Sequence, residues 1–283
     1  MKHLVFLLLL SSVCFFALSK VVDNFKECEE FFLDDKPPVF TPPADVSVKP
    51  ICQCLQDNND KQIYLYATLY STTWKIPVYS AYVFRKSKSI GRCDTWYIEP
   101  QVNTVLQCMG PQGSAVKTGS YQALNSDYKD SNNYHKGHLY PVLHTDNHLS
   151  MLATSTLTNA APLNSDFNTH KWLEHEKAVI TDLKSCVGPA YVVTGVVPNT
   201  QTTLNNNNRV YVSKYYWRAT CCLKDNQYIG QGYYGPDDKN QVKKLPIKEL
   251  QVFLKNVYQK TFFPSVPTLN TEANKSRIDK ACN

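Results

Sequence analysis

Residues 134–176 read YHKGHLYPVLHTDNHLSMLATSTLTNAAPLNSDFNTHKWLEHE and gather His138, Asn159, Asn168 and Glu176, with Lys136 two residues before His138. Such a set suits hydrolytic chemistry. An imidazole of ordinary pKa, ~6.5, is largely neutral at pH 7 and can take a proton from water once an acceptor fixes its tautomer. Gly137 lets the backbone beside it approach a neighbour closely. Lys136, with Arg92 as a second cation, offers positive charge to an anionic substrate. Each residue also has a plain structural reading. A histidine after glycine is commonly a loop residue, Asn168 suits a helix N-cap, and Glu176 with Glu174 and Lys177 fits a solvated helix face. His135, His138, His144 and His148 invite a transition-metal reading, but they straddle Pro141 instead of sharing one helix face. Trp172 reads as core.

Short β-branched and aromatic runs must form the scaffold. Residues 63–70 and 78–84 are strands, joined as a hairpin around Pro77. Residues 155–159 are a short strand candidate. Residues 168–183 place Trp172, Val179, Ile180 and Leu183 at helical spacing among charges. Residues 189–197 and 210–223 form a second hairpin whose turn is the asparagine run 205–208. Residues 246–260 are an amphipathic helix with Leu250, Phe253, Leu254 and Val257 on one side. The polar, turn-rich stretch 120–133 leads into the histidines, a common place for function. Strands and helices in this order predict an α+β fold with a mixed, mainly antiparallel sheet.

Lys2 and His3 precede an apolar run from Leu4 to Leu10 and then small residues, the pattern of a signal peptide over residues 1–19. Residues 20–283 are expected to form a single domain, of which 20–50, rich in proline, is an extended arm. The remaining chain has no window of ~18 apolar residues, so the expected product is soluble and secreted, without a membrane anchor. The net charge of +6 gives a mild preference for anionic partners. Of the ten cysteines, Cys14 lies in the leader and nine remain. An oxidising compartment should pair most of them, with one left for another chain as a disulfide-linked partner. Cys93 with Cys108 and Cys186 with Cys221 or Cys222 are the favoured pairs. Cys52-x-Cys54 and Cys221-Cys222 lack zinc-ligand spacing. Asn274 begins a glycosylation sequon.

His135-Lys136-Gly137-His138, Thr158-Asn159 and Phe167-Asn168 with Trp172 and Glu176 occur in an order that resembles the DNA/RNA non-specific endonuclease family of the ββα-metal type. Further segments, VVDNFKECEEFF, IPVYSAYVF, YVVTGVVP and YYWRATCCL, are similar to the vertebrate endonuclease domain-containing 1 proteins, so the likeness covers nearly the whole mature chain. The resemblance implies a ββα-metal motif on one side of the sheet and hydrolysis of DNA and RNA at internal phosphodiester bonds, leaving 5'-phosphates. It implies His138 as general base and Asn168 as the one direct protein ligand of a hydrated magnesium ion, with manganese as a substitute. Glu176 would hold a metal-bound water from about 80 degrees around an ideal helix. Asn159 would contact the substrate phosphate, while Lys136 and Arg92 stabilise its charge. Two departures stand out, since the family carries Asp-Arg where this chain has His135-Lys136. Lysine lacks the bidentate fork of arginine, and histidine is no fixed negative charge. The alternative implied is a catalytically weakened protein that binds nucleic acid or another polyanion.

Overall fold

In the computed structural model, the described residues are 21–56, 61–85, 91, 95–99, 108–111, 120–131, 133–225, 227–238 and 241–258. The expected leader, Arg92, Cys93, Asn274 and Cys282 lie outside them. Among the described residues eleven strands are formed: β1 (Val48–Gln56), β2 (Gln62–Ser71), β3 (Ile76–Phe84), β4 (Tyr97–Ile98), β5 (Gly110–Pro111), β6 (Tyr134–His138), β7 (Ala160–Asn164), β8 (Ala190–Thr203), β9 (Tyr211–Lys224), β10 (Gln227–Pro236) and β11 (Lys243–Leu245). The helices are α1 (His148–Thr154), α2 (Ser165–Phe167), α3 (Leu173–Leu183) and α4 (Ile247–Tyr258).

Seven strands make one sheet in the order β1-β2-β3-β8-β9-β10-β11. Every ladder in it is antiparallel. The fold is α+β with a mainly antiparallel sheet, as the pattern of runs predicts. β3 is apolar almost throughout because both of its faces are covered, not one. On one face Tyr66, Tyr82, Phe84, Val192 and Cys222 pack with Tyr140, Ala153, Val179 and Leu183 of the insertion between β3 and β8. On the other, Phe25 of the N-terminal arm meets Tyr79 and is backed by Phe32. Leu250 and Leu254 of α4 are fully buried, and burying two such side chains contributes roughly 3–6 kcal/mol. Among the described residues no helix is long and apolar enough to cross a membrane.

The arm is less extended than its prolines suggest. Phe25, Cys28 and Phe31 recur every third residue and are buried along two 3-10 turns that meet at a kink at Cys28. Residues 155–159 are not a strand. Thr154 and Thr156 donate their hydroxyls to carbonyls three residues back, at 2.7 and 2.9 Å, a local bond that competes with pairing. The chain therefore completes α1, makes a 3-10 turn over Leu157–Asn159 and enters β7 only at Ala160.

Among the described residues, disulfides join Cys28 to Cys52, Cys54 to Cys108 and Cys186 to Cys222, with sequence separations of 24, 54 and 36. Loops of this size stabilise by roughly 3–4 kcal/mol each in the chain-entropy picture. Cys93 is thus not the partner of Cys108. The segment at Met109 hydrogen-bonds the carbonyl of Cys54 at 3.2 Å and so brings Cys108 to β1. Of the two candidates for Cys186, Cys222 is the partner, and Cys221 is itself disulfide-bonded.

Candidate active site

β6 and β7 pair antiparallel with His138 opposite Ala160 and Tyr134 opposite Asn164. Their hairpin is fastened to the main sheet by Tyr216 of β9, whose hydroxyl donates to the carbonyl of Ala161 at 2.8 Å. A Cβ on Gly137 would stand 2.6 Å from both the Leu163 Cβ and the Tyr216 hydroxyl. Glycine here is therefore a packing requirement. Directly after β7, Asn164 caps the helix by accepting from the backbone amides of Asp166 and Phe167. The helix thus begins at Ser165, earlier than its apolar spacing suggests, and the capping role that Asn168 could have filled is already taken.

One turn of π-helix over Asn168–Trp172 joins α2 to α3. Such turns recur at functional sites. This one lies between Asn168 and Glu176, so the ideal-helix angle between them does not apply. Both still line one open cleft of about 610 Å³, together with Trp96, Tyr128, His135, Lys136 and His138.

His138 places Nε2 3.4 Å from the hydroxyl of Ser155, and its ring centroid is 4.8 Å from that of Trp96. Lys136 is half-buried, which pushes its pKa down. Asn168 directs Nδ2 to Nδ1 of His135 at 3.3 Å, leaving the amide oxygen as its acceptor. Glu176 is buried, and desolvation pushes its carboxyl up to about 7, with Arg218 working against the shift. The Arg218 guanidinium is fully buried and stands 3.8 Å from the Glu176 carboxylate, with Nε donating to Thr194 at 2.8 Å. It lies over the Trp172 ring at 5.0 Å.

Asn159 is not brought to the cleft wall. It is fully buried; Nδ2 donates to the carbonyls of Tyr140 and Thr154, and Oδ1 accepts from the Tyr140 amide. Both amide hydrogens are thus spent on backbone. The four histidines do not gather either. His144 is buried, with Nδ1 2.7 Å from the Tyr82 hydroxyl and Nε2 donating to the Glu176 carbonyl at 3.0 Å, while His148 is exposed. Arg92 lies outside the described residues.

Sequence reasoning missed Trp96, Tyr128, Ser155 and Arg218. For Arg218 there was a signal, a lone charge inside the apolar run YYWRATCCL. Nothing marked Ser155, and the two aromatics belong to no periodic run.

Metal fit follows from the donor types. Among the described residues no three His, Cys, Asp or Glu side chains converge as a cage. Asn168 and Glu176 instead offer hard oxygens to one cleft, which suits an ion that keeps most of its waters.

The sequence profile of the DNA/RNA non-specific endonuclease family matches residues 53–268. The chain is 32% identical over 243 residues to the Endonuclease domain-containing 1 protein of Homo sapiens, covering 82% of this chain and 46% of that one. It is 28% identical over 248 residues to the Mus musculus protein of the same name, with the same coverage. The chain therefore spans less than half the length of these relatives. A chain of the crystal structure of the EndoG/EndoGI complex shares the fold, with a TM-score of 0.50 and 16% identity over 70% of this chain and 83% of that one. With the profile spanning most of its length, and with a relative 32% identical over 82% of it, this chain belongs to the DNA/RNA non-specific endonuclease family.

Proposed function

We propose that the protein is a secreted, metal-dependent endonuclease that hydrolyses internal phosphodiester bonds of DNA and RNA with little sequence preference. Convergence of an imidazole, an ammonium and two oxygen donors on one cleft carries this reading. His138 accepts the proton of the attacking water at an imidazole nitrogen, its ring kept in place by Ser155 and Trp96. Lys136 sets positive charge against the phosphoryl oxygens, where charge grows as the bond to water forms. Asn168 would hold a magnesium or manganese ion through its amide oxygen, and Glu176, steadied by Arg218, would accept hydrogen bonds from the water around it. When bound, that ion supplies charge stabilisation at the departing oxygen.

Incubating the purified protein with plasmid DNA and with RNA, in magnesium or manganese and then with chelator, tests the proposal. Nicking and degradation that stop on chelation are expected. Inertness in both metals overturns it. His138→Ala should lower the cleavage rate by about 100-fold or more while DNA affinity persists. Normal cutting by that variant would remove His138 from the role of base.

A second reading rests on His135. The Asn168 amide meets an imidazole where the family carries a carboxylate, which favours a weakened enzyme that retains nucleic acid or another polyanion. A salt-dependent shift of DNA without cleavage selects it.

A further inference from the structure

Among the described residues Lys136 is a cation without an acidic partner. None of the ion pairs among the described residues includes it, and the neighbouring His135 is engaged with Asn168. What borders the ammonium is aromatic. Nζ lies 5.1 Å from the ring centroid of Trp96 and 5.5 Å from that of Tyr128, both within the ~6 Å reach of a cation–π contact. All three side chains line the cleft that holds His138. The Tyr128 hydroxyl is buried and has no hydrogen-bond partner among the described residues, so the ring and not the hydroxyl is what Tyr128 presents to the site.

We infer that Trp96 and Tyr128 form an aromatic clamp that positions the Lys136 ammonium for a substrate phosphate, an inference that rests on the nuclease reading of the cleft. A guanidinium orients itself through its planar fork. An ammonium is a point charge on a flexible four-carbon stem and needs its surroundings to fix it. A carboxylate would fix it but cancel its charge. Two ring faces attract it through their quadrupoles and leave the charge available to phosphate. The clamp explains how lysine serves at a position where the resemblance puts arginine. Trp96 also touches the His138 ring at 4.8 Å between centroids, so one side chain sets the spacing between cation and base.

The competing explanation is that Trp96 stacks on a nucleobase and acts independently of Lys136. Affinity for a fluorescent DNA duplex, measured in chelator at fixed low salt, separates the two in Lys136→Met, Trp96→Leu, Trp96→Phe and the Lys136→Met/Trp96→Leu double variant. Trp96→Leu should weaken binding by roughly threefold to tenfold in the parent, and by nothing further once Lys136 is methionine. Trp96→Phe should keep most of the affinity. Equal losses in both backgrounds, or no loss in either, overturn the clamp. Tyr128→Leu repeats the test should Trp96→Leu fold poorly.

A readout independent of nucleic acid is the NMR spectrum of protein labelled at the lysine ε-carbons. The Lys136 resonance, assigned by its disappearance in Lys136→Met, should be displaced upfield by the ring currents and return to the common lysine position in Trp96→Leu. An undisplaced Lys136 signal overturns the clamp whatever the nuclease assay gives. A displaced signal with coupled affinities in a protein that cuts nothing upholds the clamp on an anion site and removes the nuclease reading alone.

Discussion

Asn159 and Asn168 have the same side chain, and their surroundings give them opposite work. Asn159 is fully buried with both amide hydrogens donated to backbone carbonyls, whereas Asn168 lines a cleft and spends its amide nitrogen on His135. Replacing Asn159 by alanine orphans the Tyr140 amide and the carbonyls of Tyr140 and Thr154. Desolvated groups left unpaired should cost roughly 2–4 kcal/mol, seen as a lower urea midpoint with an unchanged slope. The folded fraction should cleave at close to the parent rate per molecule. A variant of parent stability but without activity would instead return Asn159 to the phosphate. Residue types were legible at this scale, since His138, Lys136, Asn168 and Glu176 all reach the cleft. Burial was not legible, because it depends on which partners the folded chain brings to each amide.

The elements that carry these residues were legible wherever a periodicity filled the segment. The two strands of the first hairpin, the pair β8 and β9, and α4 all stand where β-branched and aromatic runs or helical spacing put them. The strand expected at 155–159 failed because threonine hydroxyls bonding to their own turn are invisible to a hydropathy pattern. The π turn is equally silent, since Trp172, Val179 and Leu183 are compatible with an uninterrupted α-helix. Gly137 could be read as a point of close approach, but what approaches, Leu163 and Tyr216, is a tertiary fact. Gly137→Ala forces a methyl group to within 2.6 Å of both. Overpacking of this kind should cost about 1–3 kcal/mol. It should also lower activity, because His138 follows in the same strand. Adding Tyr216→Phe removes the clashing oxygen and should recover part of the lost thermal stability. Alanine at 137 with unchanged melting and turnover would show that the hairpin can shift freely against β9.

At the scale of the whole molecule, covering both faces of a sheet with aromatic and ionisable side chains buries charge-bearing groups that now titrate far from their usual ranges. Burial pushes Glu99, whose carboxyl oxygens have no hydrogen-bond partner among the described residues, well above the usual carboxylate range. It pushes Asp237 up to about 8 and Glu176 up to about 7. His144 and His175 move the other way, held well below the usual imidazole range by burial first and by the Arg218 charge second. These shifts make stability depend on pH with a definite sign. A carboxyl with a raised folded pKa binds more protons folded than unfolded, so its contribution is complete at low pH and is lost as pH rises through the folded value. The two histidines bind fewer protons folded than unfolded, and their cost grows as pH falls through the unfolded pKa of ~6.5. Between pH 8 and 6.5 the carboxyls therefore outweigh the histidines, whose cost is still small there. The protein, denatured by urea in the presence of chelator, should be more stable at pH 6.5 than at pH 8 by on the order of 2 kcal/mol. Below pH 6.5 the histidines should offset further gain and flatten the curve. Glu99→Gln, which keeps the shape and removes the titrating proton, should shrink the difference between pH 8 and 6.5. Equal or greater stability at pH 8 in the parent protein would mean that these carboxyls are solvated in solution and that the covering of the sheet is looser than the packing around Glu99 implies.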